Sequence, residues 1–229
     1  MTFSIVTGPP SFFLKTKKMV KFYVVDGNIS AGKSVACRKI KKFFPDYVVI
    51  IEPSFENPFL GKYYENPKIF CRDIENWLID KRIESYKLAL RELNKGKTVV
   101  MDRSIFSSLQ FVEMNYIKGN LLKKAYFILK EKIMNFIKKV RKPDEIIVLD
   151  CNPKICFQRK NIRKDQVDGL ECESLISLEY LQDVNKAIND WLTFIQDEYN
   201  IPISRINWEN FDNGHNTKEF YRDYVLSIK

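Results

Sequence analysis

Five short runs of apolar, mostly β-branched or aromatic residues are spaced along the chain, and longer segments with helical periodicity separate them. Runs of this length without a polar face are typical of buried strands. The longer segments repeat apolar residues about every three to four positions, which predicts helices that pack on one face. The predicted strands are 21–26, 47–52, 98–102, 146–150 and, more weakly, 203–206. The predicted helices are 32–44, 68–94, 104–118, 121–141, 153–163 and 175–199.

The alternation of strands and helices predicts the topology. Repeated strand-helix-strand units build mostly parallel sheets with helices on both faces. We therefore expect an α/β fold around a mostly parallel, five-stranded sheet, in one domain over residues 19–229 after a short extension, residues 1–18. Ligands of such sheets bind beyond the carboxyl ends of the strands, and four predicted strands end in a carboxylate. These carboxylates are Asp26, Glu52, Asp102 and Asp150.

Composition and charge narrow the chemistry and the partners. The 229 residues include 38 Lys and Arg against 29 Asp and Glu, and this net charge of +9 favours anionic ligands. His215 is the only histidine, and the five cysteines include no CxxC pair, which argues against imidazole triads and zinc sites. No apolar segment approaches the roughly 20 residues of a membrane-spanning helix. We expect reduced thiols, no membrane crossing and a cytoplasmic protein.

Residues 27–34 form the strongest motif. They satisfy GxxxxGK[ST] between a predicted strand and a predicted helix, which is the context of a phosphate-binding loop. In such a loop, backbone N–H groups bind phosphate oxygens, the lysine neutralises the β- and γ-phosphates, and the last hydroxyl can ligate Mg²⁺. The motif predicts a P-loop NTPase-type three-layer fold. The loop residues are Gly27, Asn28, Ile29, Ser30, Ala31, Gly32, Lys33 and Ser34.

The phosphate loop by itself does not select a reaction, and other motifs must do so. The guanine-reading NKxD pattern of GTPases is missing, because the pair Asn94-Lys95 is followed by Lys97 where an aspartate is needed. Further motifs are EP at 52–53, ENPFL at 56–60, YENPK at 64–68, DRSIF at 102–106, NY at 115–116, GN at 119–120 and LEYL at 178–181. With the phosphate loop, they make the chain resemble the deoxynucleoside kinase family over about residues 19–192.

The resemblance implies transfer of the γ-phosphate of ATP to the 5′-hydroxyl of a deoxynucleoside, with Mg²⁺. Glu52 matches the carboxylate that accepts the proton of the 5′-hydroxyl, and an ionised carboxylate in hydrogen-bond reach is a competent general base. Arg103 matches the arginine that holds this glutamate and the 5′-oxygen. Asp102 matches the acidic residue that completes the Mg²⁺ shell with Ser34, and magnesium prefers such hard oxygen ligands.

The resemblance also implies an arginine-rich lid at about residues 157–175. Arg159 and Arg163 lie four residues apart, on one helix face, and match lid arginines that stabilise the transferring phosphoryl group. The chain departs from the family where a third lid arginine is usual, because Asp165 stands there. Either Lys164 substitutes for that arginine or the lid closes differently. Residues 164–170 are about five residues longer than in the family.

Sugar recognition by this resemblance involves Tyr64, which matches the tyrosine that bonds the 3′-hydroxyl. Its partner in the family is a glutamate after the lid. The longer lid leaves two candidates, Glu173 as the first choice and Glu171 as the second. The ordinary alternative for Tyr64 is a tyrosine at the edge of the core.

Base recognition concerns Glu75, which stands where the family usually has a glutamine that pairs with the base. A carboxylate only accepts hydrogen bonds, so it matches N1–H and N2–H₂ of guanine or N4–H₂ of cytosine better than thymine. The alternative is that Glu75 pairs with Arg72 or Arg82 on its own helix. Ser108 stands where relatives carry Asp or Ala, a position that usually separates substrate preferences. Its neutral hydroxyl does not indicate which base is preferred.

Two other functions fit parts of the sequence. A nucleoside monophosphate kinase shares the phosphate loop and the basic lid, but it needs positive charge for its acceptor phosphate where Glu52 stands. A nucleic-acid-binding P-loop ATPase would use the net charge, including the basic residues between 130 and 142, which we interpret as a solvated helix face. We expect no nucleic-acid partner. The resemblance implies a homodimer, with segments 81–93 and 121–139 as the pairing helices unless their apolar stripe is ordinary core.

Overall fold

The computed structural model describes residues 19–164, 171–210 and 217–226. Within these ranges, five strands form one parallel sheet with the order β2-β3-β1-β4-β5. The predicted α/β fold with a central five-stranded sheet is confirmed. The strands are β1 (Phe22–Gly27), β2 (Val48–Ile50), β3 (Val99–Asp102), β4 (Glu145–Asp150) and β5 (Ile203–Asn207).

Helices connect the strands and cover the sheet. In the described part of the chain they are α1 (Lys33–Phe43), α2 (Leu60–Glu65), α3 (Pro67–Asn94), α4 (Ser108–Ile117), α5 (Lys123–Ile137), α6 (Pro153–Lys164), α7 (Leu178–Tyr199) and the short α8 (Lys218–Phe220). Single 3₁₀ turns occur at Ser54–Glu56, Ile105–Ser107 and Glu171–Leu175. None of the helices described here is long and apolar enough to cross a membrane.

Strand β1 explains why the sheet is covered on both faces. All six of its residues are buried. Successive side chains of a strand point to opposite faces, so a central parallel strand needs a continuous apolar run rather than an alternating one. Accordingly, Phe22 and Val24 join an apolar cluster with α3, α4, α5 and α7, whereas Tyr23 and Val25 join a second cluster with α1 and α6.

The parallel register brings the carboxyl ends of strands β1, β2, β3 and β4 to one edge of the sheet. Val25 lies opposite Asp102 in β3, and Gly27 lies opposite Leu149 in β4. The last residue of β2, Ile50, lies opposite Met101, so the chain reaches Glu52 just beyond the same edge. The fourth predicted carboxylate differs: Asp150 is half exposed and forms an ion pair of 2.9 Å with Arg205 of the neighbouring strand.

The apolar stripes that we expected to pair in a homodimer lie mainly in the core of the chain itself. Tyr86 and Leu93 of α3 and Leu129, Ile133 and Ile137 of α5 are all buried in the cluster that covers one face of the sheet. The stripe is therefore ordinary core, which was the alternative. The two segments also carry exposed apolar side chains, including Leu88, Phe127 and Ile128, and the expected homodimer stays a prediction.

Candidate active site

The phosphate loop, residues 27–34, runs from the end of β1 into α1. Gly27 has a φ of 146°, and a Cβ atom there would lie 2.7 Å from the carbonyl oxygen of Leu149. Gly32, with a φ of 106°, is the N-cap of α1 and has no side chain to cap the helix. Only glycine tolerates both the backbone conformation and the close approach at position 27. The N–H groups at this helix start can therefore bind an anion.

Lys33 is the first residue of α1, and its ammonium group turns back over the loop. It donates hydrogen bonds to the carbonyl oxygens of Gly27, at 3.2 Å, and Asn28, at 2.7 Å. Burial and then the charge of Arg103 lower the pKa of Lys33 to about 8, against the opposing effect of nearby carboxylates. The group is a cation held at the loop that the motif predicted.

Ser34 and Asp102 form the second polar pair beside the loop. The Ser34 hydroxyl donates to Asp102 Oδ2 at 2.5 Å, and the other carboxylate oxygen, Oδ1, is buried with no hydrogen-bond partner among the described residues. Burial raises the pKa of Asp102 above its usual range. A hydroxyl beside a carboxylate with a free buried oxygen suits Mg²⁺, which takes oxygen ligands and keeps several of its waters. The donor set therefore fits the metal that the sequence predicted.

Arg103 follows β3 and connects the phosphate loop to Glu52. Its φ is 59°, a left-handed conformation that costs a non-glycine residue about 1 kcal/mol or more. The guanidinium donates to Gly27 O at 3.1 Å and lies 3.5 Å from Glu52 Oε2. It also stacks over the ring of Phe111 at 4.7 Å. These contacts hold the backbone in its strained conformation and aim the positive charge at the loop.

Glu52 is held by two guanidinium groups. Arg82 of α3 donates from Nε to Glu52 Oε1 at 2.7 Å, and its Nη2 lies 2.6 Å from the same oxygen, while Arg103 approaches the other oxygen. Burial would raise the pKa of Glu52, but the charges of Arg82 and Arg103 overcome this effect and lower it below the usual value. Glu52 is therefore a buried carboxylate that stays ionised.

Ser108, at the start of α4, is a neighbour of this cluster. Its hydroxyl accepts a hydrogen bond from Nη1 of Arg82 at 2.8 Å. Ser108 is fully buried and does not line the cavity at the site. In this arrangement Ser108 orients Arg82, and through it Glu52.

Glu75 of α3 lies deeper in the same cavity. It is 3% exposed, and its Oε1 accepts a hydrogen bond from the Asn115 side-chain amide at 3.1 Å. Asn115 is oriented in turn, because its Oδ1 accepts from Tyr63 OH and from Asn120 Nδ2, each at 2.9 Å. No hydrogen bond joins Glu75 to Arg82, because Arg82 donates to Glu52 and Ser108 instead. Arg72 is exposed. The predicted alternative of a pair with Arg72 or Arg82 is therefore wrong.

A cavity of about 100 Å³ is lined by the charged groups described above, which are Lys33, Glu52, Glu75, Arg82, Asp102 and Arg103. We call the part with Lys33, Ser34 and Asp102 its phosphate side. The part that we call its aromatic side is formed by Tyr63, Tyr64, Glu75, Glu173 and Tyr180. Tyr64 and Tyr180 meet edge to face, with ring centroids 6.0 Å apart, and the hydroxyls of Tyr63 and Tyr180 lie 3.3 Å apart. The cavity thus joins an anion site to a deep pocket with polar groups at its base. Glu52 lies between the anion site and this pocket.

Comparison with known proteins identifies the family. The family model of deoxynucleoside kinases matches residues 23–225. The chain belongs to the deoxynucleoside kinase family. It is 28% identical over 214 residues to a deoxyguanosine kinase of Dictyostelium discoideum, covering 86% of this chain and 72% of that protein. It is 30% identical over 189 residues to a deoxyadenosine kinase of the same organism, covering 82% of this chain and 72% of that protein.

The fold of this kinase is shared with solved structures. The deoxyadenosine kinase from M. mycoides with bound dATP superposes with a TM-score of 0.67 at 23% identity, over 82% of this chain and 91% of that chain. The expected three-layer fold and the expected enzyme class, an ATP-dependent phosphotransferase that acts on deoxynucleosides, are confirmed.

The lid is the part of the kinase where the structure differs most from expectation. Arg159 on α6 donates to the backbone oxygens of Ala31 at 3.1 Å and of Trp208 and Glu209 at 2.9 Å each. In this arrangement Arg159 ties α6 to the phosphate loop and does not line the cavity. The side chain of Arg163 and the predicted lid residues 165–170, including Asp165, lie outside the described residues.

The two candidates for the sugar-binding glutamate can be compared only in part. Glu173 is 3% exposed and lines the aromatic side of the cavity close to Tyr64. The side chain of Glu171, the second choice, lies outside the described residues. Glu173 therefore stays the better candidate.

Two functional residues were not predicted from the sequence as members of the site. Arg82 was considered only as a partner of Glu75, and Asn115 only as part of a family motif. The signal for Arg82 is its spacing with the apolar residues on the buried face of α3, since a cation on that face, 3% exposed in the fold, needs buried hydrogen-bond acceptors.

Proposed function

We propose that Glu52 is the general base of the kinase. In the proposed reaction, the 5′-oxygen of a deoxynucleoside attacks the γ-phosphorus of ATP, its proton passes to Glu52, and the bond to the β,γ-bridging oxygen breaks to release ADP. The observation that carries this proposal is the ionised, buried carboxylate of Glu52 between the two sides of the cavity. A base held by two arginines is oriented before the substrate arrives.

Positive groups around Glu52 would stabilise the phosphoryl group in transfer. Lys33 and the N–H groups of residues 27–34 would bind the β- and γ-phosphates, and Ser34 with Asp102 would hold Mg²⁺, which supplies charge neutralisation when bound. Arg103 would hold the 5′-oxygen beside Glu52. We keep Arg159 and Arg163 as proposed lid residues, with Arg159 acting through its contact with the phosphate loop.

The aromatic side would bind the nucleoside. Tyr64 and Glu173 would bond the 3′-hydroxyl of the sugar, and Glu75 at the base of the pocket would contact the nucleobase. Ser108 would act on the substrate only through Arg82. The small volume of the pocket and its close-packed tyrosines favour a sugar without a bulky polar substituent.

The observed contacts argue against the two other functions. A nucleoside monophosphate would bring its acceptor phosphate toward the ionised Glu52 and be repelled. Three of the six basic residues between 130 and 142 are paired, since Lys130 pairs with Glu113, Lys132 with Asp80 at 2.7 Å and Arg141 with Asp144 at 2.8 Å. These pairs favour a solvated helix face over a track for nucleic acid.

Phosphoryl transfer across the four deoxynucleosides, their ribonucleosides and the four monophosphates tests the proposal, with Glu52→Gln as the variant. We expect product with deoxynucleosides and a loss of about 100-fold to 10,000-fold in kcat in the variant. An exposed glutamate on α3, changed in Glu84→Gln, is the control and should keep its activity. Activity on monophosphates alone, or full activity of Glu52→Gln, would contradict the proposed role.

We further propose that the enzyme is a cytoplasmic, one-domain homodimer that pairs through a cleft of about 370 Å³ between α4 and α7. In the described part of the chain, the amide of Gln110 and the indole Nε1 of Trp191 are buried in this region without hydrogen-bond partners. Ile117, which is 74% exposed, lines the same cleft. Sedimentation should find dimers for the wild type and for Ile69→Asp, an exposed control on α3, but monomers for Ile117→Asp.

A further inference from the structure

The carboxylate of Glu75 has an oxygen whose partner is missing from its surroundings. Oε1 accepts from Asn115, whereas Oε2 is buried and has no hydrogen-bond partner in the described ranges. Asn115 cannot offer a second donor by turning its amide, because Tyr63 and Asn120 both donate to its oxygen. A buried polar atom without a partner in a substrate cavity indicates that a ligand supplies the partner.

Charged and titratable groups face Glu75 from several elements, and none of them neutralises it directly. Arg82 is on the same helix, but it is bonded to Glu52 and Ser108. Burial raises the pKa of Glu75 to about 7, and the charge of Arg82 and the Asn115 hydrogen bond offset this only in part. The other groups that act on Glu75 or lie beside it are Glu52, Arg103, Cys71, Tyr63 and Tyr180.

The hydrogen-bonding pattern of a carboxyl group depends on its proton. Ionised, it has two acceptor oxygens, which match two adjacent donors such as N1–H and N2–H₂ of guanine. Protonated, it has one donor and one acceptor, which match the ring nitrogen and amino group of cytosine or adenine. A glutamine, which the family usually has here, presents one fixed donor and acceptor set at every pH.

We propose that the proton on Glu75 decides which deoxynucleosides the kinase accepts: the ionised form selects guanine, and the protonated form admits cytosine and adenine. This inference rests on the proposed function, in which the aromatic side binds the nucleobase. It assigns to Glu75 a specificity that changes across neutral pH, while Glu52 keeps its charge through two arginines. One cavity therefore holds two carboxylates with separate tasks.

The ratio of kcat/KM for deoxyguanosine to that for deoxycytidine, measured from about pH 5.5 to about pH 8.5, tests this specificity. Ionisation of shared groups such as Glu52 and Lys33 cancels in the ratio. We expect the ratio to rise about tenfold or more with pH. Ionisation of Glu75 gives deoxyguanosine one more hydrogen bond to a charged group, and it leaves deoxycytidine with an acceptor facing an acceptor. In Glu75→Gln the ratio should be independent of pH. Asp73→Asn, an exposed carboxylate on the same helix, should behave like the wild type.

Calorimetric binding of deoxycytidine at about pH 7.5, in buffers of different ionisation enthalpy, gives a readout that does not depend on turnover. The wild type should take up a large fraction of a proton, because most Glu75 is ionised at this pH, and Glu75→Gln should take up none. Deoxyguanosine should bind without uptake.

A ratio that does not change with pH in the wild type, or one that changes equally in Glu75→Gln, would overturn the proposal. Equal proton uptake for both nucleosides would overturn it as well. If binding is linked to proton uptake but no deoxynucleoside is phosphorylated, the role of Glu75 in recognising the base would be supported and the proposed function would be refuted. The wild-type measurements test the proposal even where Glu75→Gln does not fold.

Discussion

The phosphate side and the aromatic side of the cavity are built in different ways. The phosphate side is largely one continuous segment, in which the backbone of residues 27–34 and the side chains of Lys33 and Ser34 are positioned by the start of α1. The aromatic side combines residues from α2, α3, the turn before α7 and α7 itself. The first can be recognised as a motif, whereas the second depends on how the helices pack.

Glu52, which lies between the two sides, and Glu75, which belongs to the aromatic side, show what this difference means for the charge of a buried glutamate. Glu52 has two guanidinium partners, and its pKa is lowered in spite of burial. Glu75 has one amide partner, and its pKa is raised to about 7 by burial. The same residue type in the same cavity therefore serves as a permanent anion in one place and as a proton-dependent group in the other.

Removing Arg82 should have the largest effect on this contrast, because it would make Glu52 resemble Glu75. We expect Arg82→Gln to lower the free energy of unfolding by about 3 kcal/mol at pH 7, since breaking a buried ion pair leaves an uncompensated charge. The lowered pKa of Glu52 contributes stability that is present above its ordinary value and is lost as pH falls through the folded-state value. Urea unfolding measures this loss.

The same variant should also move the acid limb of kcat/KM to higher pH, because the pKa of Glu52 rises without Arg82. Arg72→Gln, an exposed arginine on the same helix, is the control and should change neither quantity. An acid limb that stays in place in Arg82→Gln would show that Glu52 does not depend on this arginine.

Replacing Glu75 should have a smaller effect of the opposite sign. In the folded state the pKa of Glu75 is raised to about 7, so its ionisation costs stability as pH rises from its ordinary value through 7. We expect Glu75→Gln to raise the free energy of unfolding at pH 8 by about 1 to 3 kcal/mol, where about 3 kcal/mol is the most that a pKa raised from 4.5 to about 7 can cost, and to lose this advantage toward pH 5. Urea unfolding at both pH values measures the difference in stability between Glu75→Gln and the wild type. A difference that is independent of pH would contradict the contrast with Glu52.

Removing the Tyr64 hydroxyl should have the smallest effect on activity. This effect should depend on the 3′-hydroxyl of the sugar. Loss of one neutral hydrogen bond costs about 1 kcal/mol, so Tyr64→Phe should lower kcat/KM for deoxynucleosides about fivefold. A 3′-deoxy analogue, which lacks the partner hydroxyl, should react equally with both enzymes. Tyr116→Phe, which changes a tyrosine stacked on Tyr126 outside the cavity, is the matched control. Equal losses on both substrates would assign Tyr64 to packing.

Much of the fold could be predicted from the sequence, because its signals are local. All five strands were found near their observed positions, and the long helices differ mainly at their ends. The predicted helix 175–199 begins at Leu178, where Ser177 caps it by accepting from the N–H of Tyr180. The short helix α2 was missed, since six residues between motifs show too little periodicity to indicate a helix.

The pairings of side chains could not be predicted in the same way. Glu75 and Arg82 share a helix but are separated by about two turns, or about 10 Å along its axis, so their spacing does not bring the charges together. Because α3 packs against the end of β2, Arg82 instead pairs with Glu52, which is thirty residues away in the chain. Likewise, Asp150 ends a strand as a site residue would, but its neighbour β5 supplies Arg205.

The sequence by itself determined which strands end in a carboxylate, the phosphate loop and the family, because each depends on residues close together in the chain or on a motif. The tertiary structure alone decided which carboxylate is neutralised, which oxygen lacks a partner and which arginine faces the loop backbone. These depend on distances of a few ångströms between elements and on exclusion of water, and neither property is encoded in local spacing.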